Sequence, residues 1–142
     1  MTERLPSDHD VVDSHRVHLE RVGRTSRPRV PLPAGLSVSA GDVVWVSLEG
    51  EATRARVETS LAGEPVFEGA FDNARLARAG EGEDRLREWT ARHDLAPGAP
   101  VALDVLTRGY AFGLRRPGER VIYAPPDAPA DSLADIAADL EE

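Results

Sequence analysis

The sequence predicts a mainly β (α+β) protein: a small β-barrel or pseudobarrel of about seven short strands, with one principal helix and an acidic C-terminal helix. Three observations lead to this fold class. Hydrophobic residues in 15–123 mostly recur with a period of two, turn residues follow one another closely, and only one longer segment has helical spacing. The 142 residues, 41% of them hydrophobic, are enough for one domain with a substantial core.

The first three predicted strands lie in the N-terminal half. In 15–22 apolar and polar residues alternate, which is typical of a half-buried strand. The segment 43–48 is almost entirely apolar, so we expect a central strand there. In 52–59 small or apolar residues alternate with charged ones, and 49–51 supplies the hairpin turn that precedes this strand.

One helix and four more strands complete the predicted domain. In 83–93, Leu86 and Trp89 recur at helical spacing, and the acidic residues at its start favour the positive end of a helix dipole. A shorter helical turn is predicted to begin at the Asp72-Asn73 cap. The remaining strands are predicted at 65–71, 101–106, 110–115 and 121–123.

The chain divides into three parts. Residues 1–14 are predicted as an acidic N-terminal tail, and 15–123 as the β-barrel-like domain. Consecutive prolines after residue 124 cannot continue a helix or a strand ladder, so they end this domain. An amphipathic pattern begins at Ser132, and 124–142 is therefore predicted as a Pro-rich linker followed by an acidic C-terminal helix.

Composition excludes several classes of protein. The chain has 25 acidic residues and 17 basic ones, all of them Arg, which gives a formal net charge of -8. Acidic, lysine-poor surfaces of this kind resemble those of extremely halophilic archaea, where concentrated salt screens the charges. The absence of Cys excludes disulfides and Cys-based zinc sites. Because neither a signal peptide nor a membrane-length apolar run is present, we expect a cytoplasmic protein that does not bind membranes.

One basic cluster stands out against this acidic background. We define the arginine island as Arg16, Arg21, Arg24, Arg27 and Arg29. The segment 16–29 that contains it has a single acidic residue, Glu20. Guanidinium groups bind phosphate oxygens in pairs, so the island predicts a nucleic-acid-binding face, whereas pairing with nearby acids would make it purely structural. The predicted nucleic-acid-binding residues are Arg16, Arg21, Arg24, Thr25, Ser26, Arg27, Arg29, Arg54 and Arg56.

The sequence contains no recognisable catalytic, metal-binding or cofactor-binding motif. His15 and His18 are three residues apart, which places them on opposite faces of a strand and argues against a shared metal. Asp42 is expected to serve the turn before its strand, and Asp42 and Asp104 are not a distinctive carboxylate pair in so acidic a chain. His93 is expected to pack on its helix. We therefore predict no enzymatic activity, no metal and no cofactor.

Three short motifs carry a resemblance to known proteins. Gly23-Arg24, the segment Arg-Val-Pro-Leu-Pro at 29–33 and the segment Ala-Gly-Asp-Val-Val at 40–44 are similar to the signature of AbrB-like transition-state regulators and MazE-type antitoxins. The later hairpins and the Leu86/Trp89 helix resemble DNA-binding pseudobarrels. Composition and the acidic tail also resemble an uncharacterised haloarchaeal protein family. The first two resemblances imply duplex DNA binding and transcription regulation.

These observations predict a non-enzymatic nucleic-acid-binding protein, with DNA favoured over RNA as the partner and a homodimer compatible with the fold. The alternative from a different class is a protein-protein interaction or assembly module that uses the acidic C-terminal helix. Dispersal of the island arginines into ion pairs would favour this alternative.

Overall fold

A computed structural model describes residues 4–24 and 27–126. The described residues form ten short strands and two short helices, so the predicted mainly β fold class is confirmed. The strands are Leu5–Pro6 (β1), Asp13–His18 (β2), Glu20–Arg21 (β3), Pro28–Pro31 (β4), Val43–Leu48 (β5), Glu51–Thr59 (β6), Pro65–Phe67 (β7), Pro100–Thr107 (β8), Ala111–Arg115 (β9) and Ile122–Tyr123 (β10). The helices are Ala74–Ala79 (α1) and Arg85–Arg92 (α2).

Eight strands form one curved sheet in the order β2-β8-β9-β5-β6-β7-β4-β3, and β1 pairs with β10 in a separate ribbon. The β5 and β9 strands run parallel, while their other neighbours in the sheet pair antiparallel. Near the two ends of this order, β2 also contacts β4, so the sheet is a nearly closed barrel. Closure of this kind leaves little free strand edge, which is the pseudobarrel arrangement that the alternating pattern predicts.

The interior of the barrel is built from alternate residues of its strands. Val44 pairs with Ala55 across β5 and β6, and both side chains are almost fully buried in the main hydrophobic core. Leu86 and Trp89, on one side of α2, belong to the same core. The period-two pattern and the helical spacing therefore mark the inward faces correctly.

Both helices begin where a polar side chain caps them. The Oδ1 atom of Asp84 accepts hydrogen bonds from the backbone N–H groups of Leu86 and Arg87, at 3.0 and 3.3 Å. Asn73 caps α1 in the same way, since its Oδ1 accepts from the Leu76 N–H at 2.9 Å. These caps satisfy N–H groups that have no partner within the helix, and they confirm both helices that the sequence predicts.

Several strands differ from the prediction. The strand predicted at 65–71 is shorter, Pro65–Phe67, and Leu5–Pro6 forms a strand that was not predicted. The predicted strand 15–22 divides, because Leu19 bonds to the loop before β8, with its N–H donating to the Ala99 carbonyl at 2.9 Å. The chain then pairs Glu20–Arg21 with β4. The Pro28–Pro31 strand was not predicted, because two of its four residues are prolines that cannot donate a ladder hydrogen bond.

The predicted terminal segments are only partly described. Within 1–14, Leu5–Pro6 pairs with Ile122–Tyr123, and β2 already begins at Asp13. The acidic C-terminal helix predicted after Ser132 lies outside the described residues. Neither of the two described helices has the length and apolar character needed to cross a bilayer.

An ion pair holds the turn between β5 and β6 against the end of β9. Glu49 adopts a left-handed φ of 54° and accepts three hydrogen bonds from Arg116, from its backbone N–H and from Nε and Nη2 of its guanidinium. Burial raises the pKa of Glu49, but the hydrogen bonds and charge of Arg116 outweigh it and hold this pKa below its ordinary value of 4.5. The pair therefore stabilises the fold only while Glu49 is ionised.

This pKa makes the contribution of the pair depend on pH. The stabilisation by the Glu49–Arg116 pair is expected in full above the ordinary carboxyl pKa. It is lost as the pH falls through the lower pKa that Glu49 has in the folded state. Glu49→Gln should therefore lower the free energy of unfolding at neutral pH. It should have little effect at a pH where the Glu49 carboxyl is protonated in both the folded and the unfolded state. Urea titrations at several pH values will measure both effects. Glu51→Gln, at an exposed position beyond the turn, is the control. Equal losses at neutral and acidic pH would contradict the assignment.

Candidate nucleic-acid interface

Three island arginines lie exposed on elements that follow one another along the chain. Arg16 is on β2, Arg21 ends β3, and Arg24 follows Gly23 in the turn between β3 and β4. Within 4–24 and 27–126, none of these three guanidinium groups has a hydrogen-bond or ion-pair partner. No described residue therefore competes with an external anion for these three side chains.

Local sequence explains why these side chains face solvent. Val17 is buried in the barrel, so its neighbour Arg16 must point to the other face of β2. Arg21 pairs with Pro28 in a two-residue strand at the sheet edge. Gly23 has a left-handed φ of 56°, which lets the chain turn tightly between β3 and β4.

The other two island arginines are tied to acidic residues or to the backbone. Arg29 lies opposite Glu20, and its Nε donates to Glu20 Oε1 at 2.9 Å, with Glu68 Oε2 at 3.9 Å from Nη1. Arg27 donates from Nη2 to the Glu68 backbone carbonyl at 2.9 Å. Part of the island is therefore neutralised by acids from β3 and from the segment after β7.

Arg54 and Arg56 on β6, which were also predicted to bind nucleic acid, already make contacts within the protein. Arg54 donates a long 3.4 Å bond to the Thr53 carbonyl and pairs in a bridge with Phe71. Arg56 lies 3.5 Å from the Glu58 carboxylate and donates to the Arg78 carbonyl near the end of α1. Thr25 and Ser26 lie outside the described residues.

A groove of about 410 Å³ separates Arg27 from the start of α2. Its walls carry both signs of charge, with Arg27 and Arg87 facing Glu83 and Glu88. A second groove, of about 270 Å³, lies beside Arg16. The mixed charge of the first groove makes it a poor phosphate site, whereas Arg16 is the only charged side chain along the described lining of the second.

A buried polar cluster beneath the β1–β10 ribbon was not predicted. Asp104 on β8 is fully buried and accepts hydrogen bonds from Ser14 Oγ at 2.5 Å and from the Tyr123 hydroxyl at 2.6 Å. Arg115 binds the same carboxylate twice, with Nε at 2.7 Å from Oδ2 and Nη2 at 3.2 Å from Oδ1. This Asp104 cluster, made of Asp104, Ser14, Arg115 and Tyr123, joins four strands, β2, β8, β9 and β10, on the outer face of the barrel.

The cluster raises the pKa values of two of its members. Burial, together with the hydrogen bond to Asp104, raises the pKa of the Tyr123 hydroxyl well above its ordinary value. The hydrogen bonds to Asp104 raise the pKa of the Arg115 guanidinium as well. Both shifts favour the protonated forms in which Tyr123 and Arg115 donate to Asp104. The sequence signal for this cluster was a single Asp inside the apolar strand at 101–106.

Two residues singled out in the sequence, Asp42 and His93, can be located in the structure. Asp42 serves its turn as predicted, since its Oδ2 accepts from the Ser39 N–H at 2.8 Å. His93 is half-buried and packs edge-on against Trp89, with 6.1 Å between ring centroids. In the described ranges, no three His, Asp or Glu side chains gather into a group that could hold a metal ion.

Comparisons with known proteins give one family. A model described as a family of unknown function, DUF7112, matches residues 1–140. No curated protein matches the chain, and no solved structure does.

Proposed function

Because the chain belongs to this family of unknown function, we propose a role from its surface chemistry: a non-enzymatic nucleic-acid-binding protein that presents Arg16, Arg21 and Arg24 to backbone phosphates. One observation carries the proposal. These three exposed guanidinium groups, close in sequence, have no partner among the described residues, although the chain as a whole is strongly acidic.

The chemistry of Arg suits this role. A guanidinium group can donate two parallel hydrogen bonds to one phosphate, and it is more weakly hydrated than the ammonium group of Lys. Because no described carboxylate pairs with these three groups, they can bind a polyanion without first breaking an ion pair in that part of the chain. Arg29 and Arg56 are left out of the proposed interface, because each already lies next to a carboxylate.

The same proposal includes the kind of nucleic acid, the regulatory role and the source of the protein. The resemblance to AbrB-like proteins and DNA-binding pseudobarrels favours duplex DNA and a regulatory role in transcription. The acidic, lysine-free composition favours a halophilic archaeal source. In concentrated salt little free energy is gained from counterion release, so binding there must depend on bidentate geometry and on the fit of surfaces.

We expect replacement of Arg16, Arg21 and Arg24 by Ala to weaken duplex binding at least about tenfold, since each lost phosphate contact is worth about 1 kcal/mol or more. The slope of log K against log salt should also become shallower by about 2.7, which is 0.9 for each of the three phosphates. Fluorescence anisotropy with duplex DNA, duplex RNA and single strands, over a range of KCl concentrations, will measure both quantities.

A matched variant separates a binding face from net charge. Arg4, Arg75 and Arg92 are also exposed and have no partner among the described residues, and changing all three to Ala removes the same charge. This variant should retain nearly full binding. If both triple variants lose affinity equally, or if the unaltered protein binds none of these nucleic acids, the proposed interface is wrong.

A further inference from the structure

The groove beside Arg16 has a defined floor and wall. Ser14 and Arg16 lie two residues apart on β2, so their side chains project from the same face. They pair with Asp104 and Ala102 of β8. His15, Val101, the small Ala102 and Pro117 also line this groove of about 270 Å³. Apolar surface therefore lies between a free cation and a serine hydroxyl.

The hydrogen bonds of the Asp104 cluster decide what the Ser14 hydroxyl can still do. Asp104 accepts four hydrogen bonds, two on each oxygen, which is the capacity of an ionised carboxylate. The single proton of Ser14 is directed to Asp104, so Ser14 cannot donate to a ligand. Arg115 Nη2, at 3.3 Å, takes one of the two lone pairs on Ser14 Oγ. One acceptor position remains on an exposed residue.

Two of the polar side chains of the groove, Arg16 and Ser14, thus require opposite hydrogen-bond partners. Arg16 requires an anionic acceptor, and Ser14 requires a hydrogen-bond donor. A ligand that meets both demands carries an anion and a hydroxyl group, with a carbon skeleton that covers Ala102 and Pro117. The C–H face of a sugar ring supplies such a skeleton.

We propose that this groove binds a ribose-phosphate unit, with the phosphate on Arg16, a ribose hydroxyl donating to Ser14, and the sugar ring over Ala102 and Pro117. The unit can come from a free ribonucleotide or from one residue of an RNA strand. The second source rests on the proposed nucleic-acid function, with RNA in place of duplex DNA as the polymer bound at this groove. Because DNA lacks the 2′-hydroxyl, the same contact discriminates RNA from DNA.

Binding of small probes tests the pocket without any polymer. Adenosine monophosphate, its 2′,3′-dideoxy counterpart and inorganic phosphate are titrated into the full chain and followed by NMR. Shifts are expected at Ser14, Arg16 and Ala102, with adenosine monophosphate binding about fivefold tighter than the dideoxy form, which is the worth of one net hydrogen bond. Inorganic phosphate should bind most weakly, because it covers none of the apolar floor.

Three substitutions assign the contacts. Ser14→Ala should bring the affinities of the two nucleotides together, and Arg16→Ala should weaken both about tenfold, as expected for a lost charge-assisted bond. Ala102→Leu should block the groove from its floor while leaving the Asp104 cluster bonded. Thermal unfolding of each variant, and rescue of phosphate binding by Arg16→Lys, show that a loss is not caused by misfolding.

Polymer binding separates this inference from the proposed function. Arg21→Ala should leave nucleotide binding unchanged and weaken oligonucleotide binding, with single-stranded RNA preferred to DNA of the same sequence until Ser14 is changed. If the protein binds nucleotides but no oligonucleotide, the proposed nucleic-acid function is wrong and the ribose-phosphate site in the groove is supported. Equal affinity of the unaltered protein for the ribo and dideoxy nucleotides, or nucleotide binding that survives Arg16→Ala, would overturn the pocket itself.

Discussion

Replacing Asp104 with Ala is expected to lower the free energy of unfolding by about 3–5 kcal/mol, the cost of leaving a buried charge without its partner. The Arg115 side chain is only 14% exposed, and it would lose the carboxylate that both its Nε and Nη2 contact. The Tyr123 hydroxyl, buried beneath the ribbon, would lose its acceptor as well. Urea unfolding at neutral pH gives the loss directly.

A neighbouring acid provides the control for this prediction. Asp13 pairs with Val105 at the start of β2, is exposed, and has no side-chain partner among the described residues, so Asp13→Ala should change stability by less than about 0.5 kcal/mol. The double variant Asp104→Ala/Arg115→Ala should lose less than the sum of its two single variants, because the stranded charge is gone. Additive losses would show that the pair is not the source of the effect.

Local patterns in the sequence predict most of the elements but not their arrangement. An apolar run identifies 43–48 as a strand and alternation identifies 52–59. The caps at Asn73 and Asp84 mark where the helices begin, because all these signals depend on neighbouring residues alone. The parallel pairing of β5 with β9 joins Trp45 to Ala111, and nothing within either segment specifies a partner so distant in the chain. Strand order therefore requires the tertiary structure.

The candidate interface shows the same division. That Arg16 faces solvent follows from its place beside buried Val17. That Arg29 meets Glu20 depends on the register of a hairpin, and its approach to Glu68 depends on a third strand. The sequence predicts how many arginines gather in the island, whereas long-range pairing determines which of them stay free for a ligand.

The Asp104 cluster lies beyond sequence reasoning for a related reason. Its members come from positions 14, 104, 115 and 123, and none of them forms a motif with its own neighbours. The local trace is an acid in the middle of an apolar strand, on a face that the period-two pattern assigns to solvent. Asp104 is buried there because β10 packs over that face, and a buried carboxylate needs hydrogen-bond partners such as Tyr123.

Gly113→Ala is expected to destabilise the protein by about 3 kcal/mol through a single methyl group. Gly113 lies opposite Asp104 on β9, and a Cβ atom there would lie 2.6 Å from the Tyr123 hydroxyl oxygen and closer still to its ring. Tyr123 is fully buried, so its ring can move only by lifting the ribbon and breaking its bond to Asp104. Gly113 has no left-handed φ, so any loss comes from contact and not from backbone strain.

Two measurements show whether the methyl group acts through Tyr123. In a Tyr123→Ala background the methyl group has room, so Gly113→Ala should be nearly neutral by urea unfolding, and an equal loss in both backgrounds would refute the contact. Burial and the Asp104 hydrogen bond raise the pKa of Tyr123 in the unaltered protein. A ring displaced into solvent by Gly113→Ala should instead ionise near the ordinary tyrosine pKa of about 10, which ultraviolet titration of the folded variant detects.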